Sequence, residues 1–299
     1  YLAPVARSYG DLREPESRRA LVRDALRLLR VHIHPWSGVI DEDRVVAEAT
    51  PTLFGVVAAI YEQHRVAAGA ARWGCKSTFM VDHVEEALAE YPAARFVWLV
   101  RDPRDVAASA RRSVFGPYHP RLTAILWREQ QERALAAQEA HGARVVHLLR
   151  YEDLVARPDE EVRRLCRFLG EELEPAMLAH HRQAAAQELA ALSESWRNAD
   201  QPISQASVGR YRGGLSSRER EAVEEVAGPL MARLGYSTEP RLGAAEGPPT
   251  LAVRAGDLTM RLAVEVRSLL HDENHWWRWR RDATVRWLEI KARARGAAR

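Results

Sequence analysis

Four short segments of this chain carry residues able to hold an anion. Arg101 directly follows an apolar run, and Ser109 comes eight residues later, just inside a helix-like stretch. A planar guanidinium and a hydroxyl near a helix N-terminus together make a phosphate site. The plainer alternative is an arginine paired with Asp102 or Asp105 and a surface serine. Trp73-Gly74-Cys75-Lys76-Ser77 has the Lys-Ser ending of a phosphate-wrapping loop, with Gly69 and Gly74 at the right spacing. Cys75 then separates Gly74 from Lys76, and one inserted residue breaks the wrap of backbone N–H groups. What remains is a lysine in a polar turn. Arg150-Tyr151-Glu152-Asp153-Leu154 offers Tyr151 for stacking on a base, or simply Glu152 or Asp153 for capping the next helix. Ser207-Val208-Gly209-Arg210-Tyr211-Arg212 sets a glycine beside two arginines, an anion clamp or a solvated loop.

The elements that must position these residues follow from periodicity. Residues 17–32 place Leu21, Ala25, Leu28 and Leu29 at helical spacing, and 52–69 and 79–91 read as two further helices. Residues 95–100 form a short apolar strand, stopped by Arg101-Asp102-Pro103 and followed by a helix. The pattern repeats as a long helix from 120, a strand at 144–149, a turn at 150–154 and a helix closed by Gly170. Apolar strands alternating with helices predict an α/β fold with a parallel sheet buried on both faces. Ligands of such sheets sit at the C-terminal strand ends, where Arg101 and Tyr151 fall. Residues 174–195 read as helical, 196–215 as irregular and 216–235 as helical. Residues 237–253 read as a linker, and 254–299 as a basic, Trp-rich helical extension.

Composition excludes several classes. The chain has 299 residues, 46% hydrophobic and 28% charged, so it is not disordered. Lys plus Arg is 44 against 41 Asp plus Glu, but only Lys76 and Lys291 are lysines. Residues 251–299 hold 11 basic and 6 acidic side chains, and residues 1–250 hold 33 and 35. The near-neutral body argues against a nucleic-acid partner. Two cysteines, Cys75 and Cys166, make neither a disulfide framework nor a zinc site, and a reducing, cytoplasmic location is expected. No apolar run is long enough for a membrane span. His32 with His34, and His180 with His181, lack further ligands at metal-site spacing. The tail places Leu258, Leu262, Val266, Leu269 and Leu270 on one side and holds Trp276, Trp277, Trp279 and Trp287. Such a segment packs on the body, associates with another copy or lies on a membrane surface.

Taken in order, these segments resemble the sulfotransferase family that uses 3′-phosphoadenosine 5′-phosphosulfate (PAPS), particularly its bacterial and Golgi-type carbohydrate or peptide members. The likeness runs from Trp73-x-x-Lys76-Ser77 through Tyr91-Pro92, Arg95 to Val100, Arg101-Asp102-Pro103-Arg104-Asp105 and Ser109. It continues with Arg150 to Leu154, Pro158, Val208 to Tyr211 and Leu234-Gly235-Tyr236. The resemblance implies a three-layer, P-loop-like α/β fold over residues 1–236, with a central parallel sheet flanked by helices. It implies that Arg101 and Ser109 hold the 3′-phosphate and that Tyr151 contacts the adenosine end. Gly209 and Arg210 would close over the same phosphate, and Lys76 would stand near the transferred group as the catalytic cation. PAPS would be the co-substrate, with no metal, and the acceptor would be a carbohydrate, peptide or small molecule. The chain departs from the family twice. No strand with a Gly-Ser/Thr-rich 5′-phosphosulfate loop lies in residues 1–70, so an N-terminally incomplete domain is expected. Thr78 stands where small-molecule members carry a His, which leaves Glu48, Asp82 and His83 as candidate bases. A nucleotide-dependent kinase and a non-catalytic member keeping the fold are the alternative readings.

Overall fold

The structure, a computed structural model, describes residues 2–32, 36, 38–111, 113, 116–192, 196, 198–238, 248–272 and 274–297. Tyr1, His34 and most of the expected linker, 239–247, lie outside them. In chain order the helices are α1 (Pro15–Arg30), α2 (Glu42–Glu48), α3 (Leu53–Ala67) and α4 (Val84–Glu90). Strand β1 (Phe96–Val100) precedes α5 (Pro103–Ala110) and α6 (Pro120–His141). Strand β2 (Val146–Arg150) precedes α7 (Tyr151–Ala156), α8 (Pro158–Leu169), α9 (Pro175–Leu178) and α10 (Ala184–Leu192). The remaining helices are α11 (Tyr211–Gly214), α12 (Ser217–Arg233), α13 (Leu251–His271) and α14 (His275–Ala297).

The chain divides into two compact units. The first comprises Tyr1–Ser77, Glu85–Pro92 and Glu273–Arg299. Its core gathers Leu21, Val22 and Leu26 of α1 with Val45 and Val46 of α2 and Val56 and Ile60 of α3. Helix α1 starts on Pro15, whose missing N–H costs nothing at a helix start, and ends with Arg27 and Arg30 facing its negative pole. Asp24 is buried on the core side of α1. Its carboxylate accepts from the Tyr9 hydroxyl at 2.9 Å and from Lys291 Nζ at 2.9 and 3.2 Å. A buried charge persists only when paired in this way. Burial, and then Asp24, pushes the Tyr9 hydroxyl above its ordinary range.

The second unit comprises Thr78–Val84 and Ala93–Asp272. Strands β1 and β2 pair in parallel, from Phe96 opposite Val146 to Val100 opposite Arg150. Helices α6 and α12 cover one face, where Trp98, Val100, Trp127, Val146, Leu230 and Met231 share a core. Within it the Trp98 indole N–H donates to Gln131 Oε1 at 2.7 Å. A capping box fixes the start of α12: Ser216 accepts from Glu219 N–H and Glu219 accepts from Ser216 N–H. Gly170 closes α8 at φ 74°, the left-handed conformation that favours glycine.

Several expectations change. The parallel α/β pairing is present, but the described residues hold a two-stranded sheet rather than the central sheet of a three-layer fold. Nor is that sheet buried on both faces: Val97 and Leu99 are 41% and 55% exposed. Strands add along a sheet edge, so a face is covered only by an element packed on it, and among the described residues none buries these two side chains. Residues 151–154 are helical in α7 instead of a turn, because Tyr151 directly opens a short helix. Residues 78–83 form a 3-10 helix before α4, and the expected helix 174–195 is broken into α9, a 3-10 turn and α10. The apolar stripe of α13 does not face a core: Leu258, Leu262, Val266, Leu269 and Leu270 are all exposed.

Candidate functional site

The parallel register explains the main constellation. Val100 pairs with Arg150, so Arg101 and Tyr151 are the first residues beyond two paired strand ends. The Arg101 guanidinium lies over the Tyr151 ring, 4.8 Å from its centroid. Its Nη2 donates to the Ser207 carbonyl at 2.6 Å and lies 3.9 Å from Asp105 Oδ2. Its Nε is buried and has no hydrogen-bond partner among the described residues. The Trp127 indole N–H donates to the Arg101 carbonyl at 3.0 Å and fixes the backbone from the α6 side.

Asp105 ties the third segment to this pair. Its side chain is 1% exposed. One carboxylate oxygen accepts from Gly209 N–H at 2.7 Å and the other from Tyr211 N–H at 2.9 Å. Gly209 has φ 71°, in the left-handed region where a side chain is strained, so the turn favours glycine. The alternative pairing of Arg101 with Asp105 is therefore present, but as a long contact of 3.9 Å.

A buried ionic network holds the frame. Asp102 caps α5 by accepting from Arg104 N–H at 2.9 Å. The Arg104 guanidinium donates to both Asp102 oxygens and to Glu224 at 2.7 Å, and lies over the Tyr211 ring at 4.3 Å. Burial works to lower its pKa, yet Asp102 and Glu224 outweigh it and hold Arg104 charged. Glu152 accepts from Asp102 N–H and from the Tyr236 hydroxyl, both at 2.9 Å. Burial, reinforced by Glu152, raises the Tyr236 pKa. An adjoining cavity of about 260 Å³ is lined by Asp105, Arg150, Glu152, Gly209 and Arg212, among others.

The remaining sequence candidates are placed as follows. Ser109 is exposed and is the penultimate residue of α5, in its last turn and not at its N-terminus. The helix has eight residues from Pro103, which puts position 109 at the far end. Arg210 precedes α11 and is exposed. Neither side chain is hydrogen-bonded to the Arg101 cluster among the described residues. Lys76 belongs to the first unit, exposed, in the segment 72–77, which has no regular secondary structure. There the Trp73 ring lies tilted against Tyr61 at 4.8 Å and meets Tyr91 edge-on at 5.7 Å, and the Tyr61 hydroxyl donates to Cys75 Sγ at 3.4 Å. Glu48 is ion-paired with Arg44 and Asp82 with Arg133, each at 2.8 Å. Sequence reasoning missed the clamp role of Asp105, the Arg104 network and the double acceptor Glu152. The Asp102-Pro103 pair was the one readable signal, a capping aspartate before a proline at the first helical position, and it announces the start of α5 but not these partners.

The profile of the Sulfotransferase family matches residues 5–175, more than half of the chain. The match takes in Lys76, Arg101, Ser109 and Tyr151, and also residues 5–70, where the motifs had no counterpart. No curated protein matches the chain.

Proposed function

The chain belongs to the sulfotransferase family, and from that premise we propose that it moves a sulfuryl group from PAPS to a hydroxyl or amine acceptor. The observation that carries this reading is the buried, unpartnered Arg101 Nε beside a stacked tyrosine at two strand ends. An orphaned guanidinium N–H in a polar cluster asks for an anionic acceptor. A ring next to it suits the flat base of a nucleotide. The residues present thus fit the 3′-phosphoadenosine end of PAPS.

PAPS supplies the sulfuryl group, with a phosphate as leaving group. In this reading Arg101 binds the 3′-phosphate, giving up the Ser207 carbonyl as a partner, with Ser109 and Arg210 as further donors. Asp105 keeps Gly209 in place so that the backbone can approach the nucleotide. Tyr151 orients the adenosine. Lys76 offsets the charge that grows on the leaving phosphate, which is where a preorganised cation accelerates the reaction most. The acceptor oxygen or nitrogen bonds to sulfur as the sulfur–oxygen bond to phosphate breaks, and its proton passes to a base. The reaction needs no metal ion for this balance. The acceptor classes in view are carbohydrate, peptide and small molecule, and the compartment is the cytoplasm.

Calorimetric titration tests the reading. Adenosine 3′,5′-bisphosphate is expected to bind in the presence of a chelator, and ATP with magnesium is not. ATP–magnesium binding without bisphosphate binding would assign a kinase instead. Binding of neither would assign a non-catalytic member. Lys76→Ala is expected to keep bisphosphate affinity and lose turnover.

A further inference from the structure

We propose that the outer face of α14 docks on an anionic phospholipid surface. This goes beyond sulfuryl transfer and does not depend on it. The inner side of α14 is anchored in the first unit. Leu288 and Arg278 are buried, Lys291 pairs with buried Asp24, and Arg295 lies over the Tyr9 ring at 4.7 Å. The helix is therefore a fixed part of its unit, and its other side can be read as a surface.

That surface is apolar and aromatic. Trp276, Trp279 and Ile290 are 66%, 61% and 66% exposed, and Trp287 is 39% exposed. At 100° per residue they fall with Ala283 on one stripe. Soluble monomers rarely expose such a patch without a use for it. Beside the stripe runs a shallow groove of about 320 Å³, lined by Arg27, Trp279, Arg280, Ala283, Thr284 and Trp287. The Arg27 guanidinium lies over the Trp287 ring at 4.4 Å. Two guanidiniums beside two indoles suit a lipid phosphate above its first methylenes.

Charge identifies the occupant. Helix α14 carries seven Lys/Arg and two Asp/Glu, and one of the acids, Asp282, pairs with Arg281 at 2.8 Å. Exposed Arg280, Arg286 and Arg293 border the stripe. A second copy would bring the same positive excess against it, whereas an anionic bilayer complements it. Tryptophan suits the headgroup level, with its ring in the apolar zone and its N–H in the wet one. No helix among the described residues is long and apolar enough to cross a membrane. Helix α14 would lie in the plane of the interface.

Cosedimentation of the full chain with vesicles tests this. Phosphatidylcholine vesicles holding roughly 30% phosphatidylserine are expected to bind it at least ~10-fold more tightly than pure phosphatidylcholine, and high salt to weaken that binding. Trp276→Ser with Trp279→Ser is expected to abolish binding, and Arg280→Gln, Arg286→Gln and Arg293→Gln to cost about fivefold each. These side chains are exposed, so unchanged thermal melting and unchanged nucleotide titration are expected in the variants. Absence of binding to anionic vesicles overturns the proposal, as does equal binding by the tryptophan variant. So does an oligomer that the tryptophan variant disperses while vesicle binding persists, or duplex DNA binding where vesicles do not bind.

Discussion

Arg101 stacks over Tyr151 because both are the first residues past Val100 and Arg150, which face each other in the parallel ladder. The contact is thus set by strand register. A one-residue slip of either strand would turn its side chains to the other face of the sheet and separate the pair.

Arg101→Ala is expected to weaken adenosine 3′,5′-bisphosphate binding by about 10- to 100-fold, the range for losing hydrogen bonds to a charged group. Tyr151→Ala should cost less, about fivefold, as a lost ring contact. Ser109→Ala, which removes one further donor, should cost less affinity than Arg101→Ala and leave thermal stability unchanged, since the hydroxyl is exposed. Calorimetric titration of the three variants checks this ordering, and undiminished affinity of Arg101→Ala would move the phosphate elsewhere.

Asp105→Asn tests the clamp. The carboxylate presents two acceptor oxygens to Gly209 and Tyr211 N–H, and an amide presents only one. One buried N–H then loses its partner, at about 1–3 kcal/mol. The urea midpoint should fall accordingly, and nucleotide affinity with it. A midpoint equal to that of the natural chain would mean that the 207–211 segment is held by other contacts.

Arg104→Met strips the countercharge from Asp102 and Glu224, both largely buried. Breaking a buried ion pair costs about 3–5 kcal/mol. Adding Glu224→Gln should recover part of the loss, because one uncompensated charge is then gone. Chemical denaturation of the single and double variants measures the coupling.

Stability should fall on the acid side. Burial lowers the His147 pKa, and its Nε2 is buried without a hydrogen-bond partner among the described residues. The unfolded chain protonates this ring near pH ~6.5, before the folded chain does. The stabilisation is therefore full above that pH and is lost as pH falls through the lower folded value. Burial lowers His119 in the same direction. His147→Leu should flatten part of the decline in denaturation midpoint between neutral and mildly acid pH. A slope identical to that of the natural chain would place the titration in other groups.

Much of the fold was legible. Helices α1, α3, α6, α8 and α12 span two turns or more and leave a 3.6-residue apolar trace. Both strands are apolar runs between clear stops. Helices α2 and α7 are too short for periodicity, although Asp41, which caps α2 by accepting from Arg44 N–H, was a readable start signal. The site was legible in its motifs but not in its wiring. Asp105 reaches Gly209 across 104 residues, and Arg104 reaches Glu224 across 120. No local pattern encodes such partners. The tail periodicity lines Leu258, Leu262, Val266, Leu269 and Leu270 along one side, but periodicity says nothing about what covers it. The same holds for Lys291, visible in the sequence only as one of two lysines, whose pairing with buried Asp24 no local pattern encodes.

Strand β1 leaves Val97 and Leu99 in water on a sheet that ends after two strands among the described residues. An apolar strand with an open edge is a template for intermolecular β-structure. Arg95 and Arg101 bracket the segment, so any in-register addition sets like charge beside like charge at both ends. Salt screens that repulsion while leaving the apolar attraction intact. Concentrated solutions of this protein should therefore lose colloidal stability as ionic strength rises, and Leu99→Lys should restore it.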